Sequence, residues 1–250
     1  NYYCLTRDGQ WLRMKAFPLM KAVADFWVSR VTRNDDGSYS ICNVVGADEY
    51  ANGVDDNAFT NGAAIRALEY ACEAARICNE PVPEIWEEVG KGIRILRFKD
   101  GVTREHATYN GEMIKQADVN LLGYPLYFVG DAESQKKDME YYVDKIDPQN
   151  GPAMSYSVFC VQYARMGDAK RAYEMFCRCY QPNLRAPFGV LAETPTSDNP
   201  YFMTGAGGLL QAVINGFCGL QIMDGGVEQL SSVLPAHWKK VTVKGVGPEK

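Results

Sequence analysis

The sequence predicts an all-α domain that ends in a short β segment, and three observations support this fold class. Apolar residues recur at helical spacing along most of the chain. Glycine, proline and aspartate interrupt this pattern where helices usually begin and end. Alternation of apolar and polar residues, which is the strand period, is found near the C-terminus over residues 241–244. With 250 residues, 46% of them hydrophobic, the chain can bury a core without metal or disulfide support.

Eight helices are predicted in order along the chain. In the first, Leu19, Val23, Phe26 and Trp27 follow one another at the spacing of one helix face. The predicted helices cover approximately residues 19–27, 57–78, 83–96, 113–124, 134–146, 158–164, 168–179 and 204–217.

Two of these helices have clear start signals. Pro83 suits the start of the third, which would place Ile85, Val89 and Leu96 on one face. Asp168 suits the N-cap of the seventh, because its carboxylate can accept a hydrogen bond from the first turn. After the turn at residues 224–226 the helical spacing stops, which predicts a helical domain over 1–223 and the start of a C-terminal β domain over 224–250.

A long loop over residues 38–56 holds four carboxylates within nine positions. Asp48, Glu49, Asp55 and Asp56 precede the second helix. Three interpretations are open: Asp56 or Asn57 caps the helix, the acids bind calcium without the EF-hand pattern, or Glu49 is a catalytic acid. Long loops in compact helical domains are usually functional, which keeps the catalytic interpretation in view.

A second long loop, over residues 181–203, contains Glu193 beside the apolar Val190 and Leu191. Glu193 is either a solvated loop glutamate or a partly desolvated catalytic group. Two carboxylates on separate loops are what glycoside hydrolysis requires, one to protonate the leaving oxygen and the other to attack or to activate water. The sequence alone gives no distance between Glu49 and Glu193, so retaining and inverting chemistry both stay open.

Two further motifs stand at predicted helix starts. Lys115 lies in the first turn of the predicted fourth helix, where its positive charge opposes the helix dipole, and Gln116 follows it. This pair indicates either a solvated helix start or a pocket for sugar hydroxyls. The glycine-rich residues 205–208 could bind phosphate through backbone N–H groups. They lack the Lys-Ser/Thr of a P-loop, so close helix packing is the favoured interpretation.

Charge and cysteine usage exclude several classes of protein. A net charge of −5 argues against nucleic-acid binding and against a polybasic membrane anchor, and no apolar run is long enough to span a membrane. Eight cysteines without a CxxC pair, and two histidines, predict reduced thiols with no metal and no cofactor. Reduced thiols weakly favour the cytoplasm. A periplasmic or secreted location stays open, because the sequence starts at Asn1 and we expect further sequence upstream.

The motifs resemble those of glycoside hydrolase family 65. Residues 46–50 and 54–61 are similar to its GPDEYH and VDNNAYTN segments, and residues 114–119 to its KQADV segment. Residues 204–213 resemble its TGxGGFLQAV segment. The motifs lie in the family's order across nearly the whole chain, and the Leu-Gly-Tyr-Pro and Gly-Pro-Ala-Met segments look like those of its hydrolase branch.

This resemblance implies a fold and a set of roles. The fold would be part of an (α/α)6 toroid of helical hairpins, and the activity an inverting exo-α-glucosidase acting on a small α-linked, preferably α-1,2-linked, glucoside such as kojibiose or glucosyl-galactose. Glu49 would be the general acid and Glu193 the general base. Lys115 and Gln116 would bind the non-reducing glucose, with Asp48 and Tyr50 beside the substrate. Phosphorylases of the family have no general base, so Glu193 favours hydrolysis over phosphorolysis.

The sequence departs from the family pattern at Ala47 and Ala51, where the family usually has Pro and His. Eight predicted helices are fewer than the twelve of the toroid. We therefore expect the partner of this chain to be the N-terminal portion of the same enzyme, including a Trp-Asp segment that helps to hold glucose. An inactive sugar-binding fragment is the alternative for the chain alone.

Overall fold

A computed structural model describes residues 1–128 and 131–246 and is mostly helical. In this part of the chain there are nine α-helices, labelled α1 to α9 in order: Tyr2–Thr6, Gly9–Trp11, Phe17–Arg30, Ala58–Cys78, Glu84–Gly92, Ala132–Tyr142, Met154–Arg165, Ala169–Arg178 and Met203–Gln211. Two π-helical turns, Leu12–Ala16 and Ala212–Phe217, continue α2 into α3 and extend α9.

Three antiparallel pairs of short strands connect the helices. The pairs are β1 (Thr32–Arg33) with β2 (Tyr39–Ser40), β3 (Leu184–Arg185) with β4 (Val190–Leu191), and β5 (Leu220–Met223) with β6 (Gly226–Gln229). In the last pair Leu220 lies opposite Gln229. The first two pairs lie beside or within the two long loops, and a 3-10 turn at Gln181–Asn183 begins the second loop.

Two apolar clusters form most of the core, and α4 joins them. Phe159 of α7 packs in a cluster with residues of α6, α8 and the segment 102–122, and Ala58 of α4 belongs to it. Leu68, also on α4, packs with Trp86 of α5 and residues of α3 in the second cluster. A fully buried side chain of this size stabilises the fold by about 1.5–3 kcal/mol.

Most of the predicted helices are confirmed, including the Asp168 N-cap of α8, which accepts a hydrogen bond from the Arg171 N–H at 3.0 Å. The helix predicted at 113–124 is wrong, apart from a 3-10 turn at Val119–Leu122. Its N–H groups are used elsewhere, since Ile114 donates to the Lys145 carbonyl and Lys115 donates to Asp48.

Two other expectations need correction. The third helix ends at Gly92 rather than near Leu96, because Arg94 donates to the Tyr39 carbonyl, and its buried face carries Trp86 and Val89 whereas Ile85 is exposed. Residues 241–244 form no strand. The proposed domain boundary at 223/224 stays a prediction, and residues 247–250 lie outside the described residues.

Three of the four apolar residues that predicted the first helix, Leu19, Val23 and Phe26, face outward on α3, whereas Trp27 packs against the second cluster. Leu19 is 67% exposed and Phe26 is 53% exposed, while Ala24 on the other side is fully buried. Helical spacing therefore predicted the helix correctly, but it did not predict which face of that helix is buried in the described part of the protein.

Within the described ranges, no helix combines the length and the apolar character that a membrane span needs. All eight cysteines are unpaired thiols, four of them buried.

Candidate active site

One buried carboxylate anchors the first long loop. Asp118 is fully buried and accepts hydrogen bonds from the N–H groups of Ala47 (2.8 Å), Asp48 (3.3 Å) and Phe59 (3.3 Å) and from the Asn57 side-chain amide (3.0 Å). Burial raises the pKa of Asp118 to about 6, against the opposing effect of these donors. A single side chain therefore fixes both the loop and the start of α4.

The start of α4 is capped by Asn57. Its side-chain oxygen accepts from the Thr60 N–H at 2.8 Å, as an N-cap residue does. The Asn57 side chain also packs directly against Gly46, where a Cβ atom would overlap it. Glycine at position 46 thus allows the loop backbone to pass close to the helix cap.

Three of the four acids in this loop bond to other parts of the protein fold. Asp55 accepts from the Asn43 N–H at 2.8 Å, and the buried Asp56 pairs with Arg94 at 2.6 Å. Asp48 turns inward and accepts from the N–H of Lys115 at 2.7 Å. Glu49 differs from them, because its exposed carboxylate bonds the ammonium group of Lys115.

The neighbouring Tyr50 is fixed by a carboxylate from another part of the chain. Its hydroxyl donates to Asp147 at 2.8 Å. Donors from Gln149 and Asn150, together with Tyr50, hold the pKa of Asp147 well below its usual range. Glu49 therefore lies between two residues, Asp48 and Tyr50, that are each tied to a different segment.

The loop that carries Glu193 is held by its backbone. The Glu193 carbonyl accepts from the Ala153 N–H at 3.1 Å and from the side-chain amide of the buried Asn183 at 3.0 Å. Asn183 also accepts from the Ala192 N–H, which closes the β3–β4 hairpin against α7. The Glu193 side chain is left about one-third exposed.

Lys115 joins the two loops. Its ammonium group hydrogen-bonds the carboxylate of Glu49, and its Nζ lies 3.8 Å from Oε1 of Glu193. The Lys115 side chain is only 19% exposed. Since one nitrogen reaches both carboxylates, Glu49 and Glu193 face the same crevice despite their separation along the chain.

This arrangement has an electrostatic consequence. The hydrogen bond from Lys115 lowers the pKa of Glu49, and the same bond raises the pKa of Lys115. The neighbouring Gln116 also helps to lower the pKa of Glu49. Gln116 is mostly buried, and its Oε1 atom has no hydrogen-bond partner within the described residues. Two carboxylates, an ammonium group and an amide oxygen without a partner can together bind a hydroxyl-rich ligand and exchange protons with it.

Four of the predicted site residues lie close together in the structure: Glu49, Glu193, Lys115 and Gln116. Asp48 and Tyr50 adjoin them, but each has a partner within the protein, and their predicted role in substrate binding stays a prediction. The anchors Asp118, Asp147 and Asn57 were not predicted as site residues. Asp118 lies within the same Lys-Gln-Ala-Asp motif, and that adjacency was the available signal.

In the described ranges, no group of three or more His, Cys, Asp or Glu side chains is arranged to hold a metal ion.

Comparisons with known proteins define the class. Residues 1–89 match the model of the glycosyl hydrolase family 65 central catalytic domain. The whole chain is 50% identical to a kojibiose hydrolase of Mucilaginibacter mallensis, of which it spans 37%. It is also 38% identical, over 91% of its length, to a protein-glucosylgalactosylhydroxylysine glucosidase of Dictyostelium discoideum, of which it spans 32%.

A solved structure described as a putative kojibiose phosphorylase from human microbiome superposes on 92% of the chain with a TM-score of 0.69. The superposition covers 35% of that protein, and with 17% identity it supports the fold alone. The sequence relatives confirm the resemblance that the motifs indicated. The chain belongs to glycoside hydrolase family 65 and is homologous to its hydrolases over about a third of their length.

Proposed function

We propose that the full-length protein carrying this chain is an inverting exo-α-glucosidase, with Glu49 as general acid and Glu193 as general base. One observation carries the proposal: the Lys115 ammonium group lies within ion-pair distance of both carboxylates. Two carboxylates around one hydrogen-bond donor supply the two groups that glycoside hydrolysis needs, and the resemblance to family 65 supports the inverting course.

The reaction needs one proton transfer on each side of the sugar. Glu49 gives its proton to the glycosidic oxygen as the bond from that oxygen to the anomeric carbon breaks. Water attacks the anomeric carbon from the opposite face, and Glu193 takes a proton from that water. The products are the free aglycone and glucose with inverted anomeric configuration.

A general acid must carry a proton, whereas Lys115 favours the ionised form of Glu49 in the ligand-free protein. The proposal therefore requires glucose hydroxyls to draw the ammonium group away from Glu49 when substrate binds. Loss of that hydrogen bond lets the pKa of Glu49 rise towards the range that general acid catalysis needs. Lys115 would then bind sugar and also control the protonation of the acid.

The substrate in this proposal is a glucose α-1,2-linked to a small sugar. The support comes from the relatives, among which are kojibiose hydrolases and protein-glucosylgalactosylhydroxylysine glucosidases. The chain spans about a third of those proteins. The remaining sugar contacts, and the rest of the proposed (α/α)6 toroid, would come from the parts of the enzyme outside this chain.

The test uses full-length protein with α-glucosyl-(1→2)-galactose as substrate, with and without inorganic phosphate. Glu49→Gln and Glu193→Gln should each lower kcat by about 10²–10⁴-fold while the fold is kept. The control is Glu228→Gln, because Glu228 lies exposed on β6 far along the chain from both loops. Near-normal turnover by Glu193→Gln would remove the base assignment. Phosphate-dependent release of glucose 1-phosphate would identify a phosphorylase instead.

A further inference from the structure

Glu105 is a fully buried acid that the proposed mechanism does not use. Its side chain has 0% exposure, and neither carboxyl oxygen has a hydrogen-bond donor within the described residues. An ionised carboxylate without donors is too costly to bury, by several kcal/mol or more. Glu105 must therefore either carry a proton or have a positively charged partner.

The groups that face Glu105 offer no compensating charge. They are the carboxyls of Asp48, Asp118 and Glu112 and the phenols of Tyr109 and Tyr142.

The adjacent basic residues are used elsewhere. Arg104 donates to the Tyr109 carbonyl at 2.7 Å, and the His106 ring lies against the Thr108 hydroxyl at 3.2 Å. Burial, together with the neighbouring carboxylates, raises the pKa of Glu105 to about 9.

The proton is best placed on Glu105 rather than on its neighbours. Asp118 accepts hydrogen bonds from three backbone N–H groups and one amide, and Asp48 accepts from two backbone N–H groups, all of which favour the ionised form. Burial raises the pKa of both Glu105 and Asp48, and the interaction of the two carboxyls raises the pKa of Glu105 further while it lowers that of Asp48. Two facing carboxyls with one proton between them form a hydrogen bond, whereas two carboxylates repel each other.

We propose that Glu105 is protonated at neutral pH and donates a hydrogen bond to Asp48, and that it thereby acts as a positioning residue for the loop that carries Glu49.

The contacts of Asp48 connect this proton to the site. Asp48 accepts from the N–H of Lys115 at 2.7 Å and from the N–H of Tyr50 at 3.2 Å, and these two residues flank Glu49 in space. The Glu105 carbonyl also accepts from the Ala58 N–H at 2.7 Å, at the start of α4. Ionisation of Glu105 would set two like charges together, displace Asp48 and release the backbone on both sides of Glu49. Only this catalytic consequence rests on the proposed function.

The first experiment is independent of activity. Infrared difference spectra of the full-length protein compare the wild type with Glu105→Gln, which keeps the shape and supplies an uncharged donor. We expect the wild type to have a protonated-carboxyl band at pH 7 that is missing from Glu105→Gln and that disappears above pH about 9. The control, Glu228→Gln, removes an exposed carboxyl on β6 that does not face Glu105 and should leave that band unchanged. Identical spectra for wild type and Glu105→Gln at pH 7 would overturn the proposal.

The second experiment tests positioning through the pH profile of kcat. If the proton on Glu105 positions the loop, wild-type kcat falls in two steps as pH rises: first as the general acid Glu49 ionises, and again near pH about 9 as Glu105 ionises. Glu105→Gln should keep kcat within a few-fold at pH 7, keep the first step and lose the second. The same second step in both proteins would refute the positioning role even where the infrared band is found. Failure of the glucosidase proposal would leave the infrared result unaffected, so the two failures are distinguishable.

Discussion

Replacement of Asp118 by alanine tests whether one carboxylate organises the site. The substitution removes the acceptor for four donors: the N–H groups of Ala47, Asp48 and Phe59 and the side-chain amide of Asn57. Each buried donor left without a partner costs about 1–3 kcal/mol, and water entering the cavity recovers part of this. We therefore expect a loss of about 3–5 kcal/mol in the free energy of unfolding.

The assay has a global and a local readout, both on full-length protein. Urea unfolding gives the change in midpoint, and hydrogen–deuterium exchange of peptides covering residues 46–60 gives the local change. The matched control is Asp131→Ala, which removes an exposed aspartate that caps α6 by accepting from the Ser134 N–H at 2.7 Å. The control should cost about 1 kcal/mol.

A loss for Asp118→Ala no larger than that of the control would refute this reasoning, as would unchanged exchange at residues 46–60. In either case the backbone of the acid loop would be held by contacts other than Asp118.

Three further predictions concern charge, packing and pH. Lys115→Met should lower kcat/KM about tenfold to a hundredfold, because a charged hydrogen bond contributes about 1.5–3 kcal/mol. It should also raise the pKa of Glu49. Steady-state kinetics measure the first effect and NMR titration of the Glu49 carboxyl measures the second; unchanged values would contradict the role assigned to Lys115. Gly208→Ala should lower the free energy of unfolding by about 1–3 kcal/mol, because the added Cβ would lie 2.6 Å from a serine hydroxyl of α7. The Cβ of Gly207→Ala contacts no neighbouring atom, so that variant should raise the free energy of unfolding by up to about 1 kcal/mol. Equal urea midpoints for the two variants would contradict the close packing of Gly208 on α7. Glu105 makes wild-type stability fall as pH rises from 4.5 to about 9, because the folded state keeps a proton that the unfolded state has lost. The slope is at most about 1.4 kcal/mol per pH unit, and Glu105→Gln should flatten it in urea unfolding at each pH.

The helices that could be predicted are those whose ends have local signals. Asn57 and Asp168 cap α4 and α8 as their sequence context indicates. The segment 113–118 could not be assigned in this way, because its N–H groups bind partners that are distant in sequence, such as Asp48 and the Lys145 carbonyl. Tertiary hydrogen bonds outweigh helical spacing there.

The candidate site was predicted in its reactive groups but not in its supports. Glu49, Glu193 and Lys115 follow from loop position and family resemblance. The buried proton on Glu105 and the four donors to Asp118 depend on which carboxyls the fold brings together, and no local pattern encodes that proximity. Glycines 205–208 illustrate the reverse case, since two of them support the packing interpretation: Gly208 is buried against α7, and Gly205 is buried against Phe202 and Ala153.

The most direct test of the account is the anomeric form of the glucose first released from α-glucosyl-(1→2)-galactose by the full-length protein. Proton NMR spectra recorded before mutarotation distinguish the two anomers. Attack of water opposite the departing galactose, with Glu49 and Glu193 on either side of the ring, predicts β-glucose as the initial product. Initial release of α-glucose would contradict the assignment of Glu193 as a base that activates water.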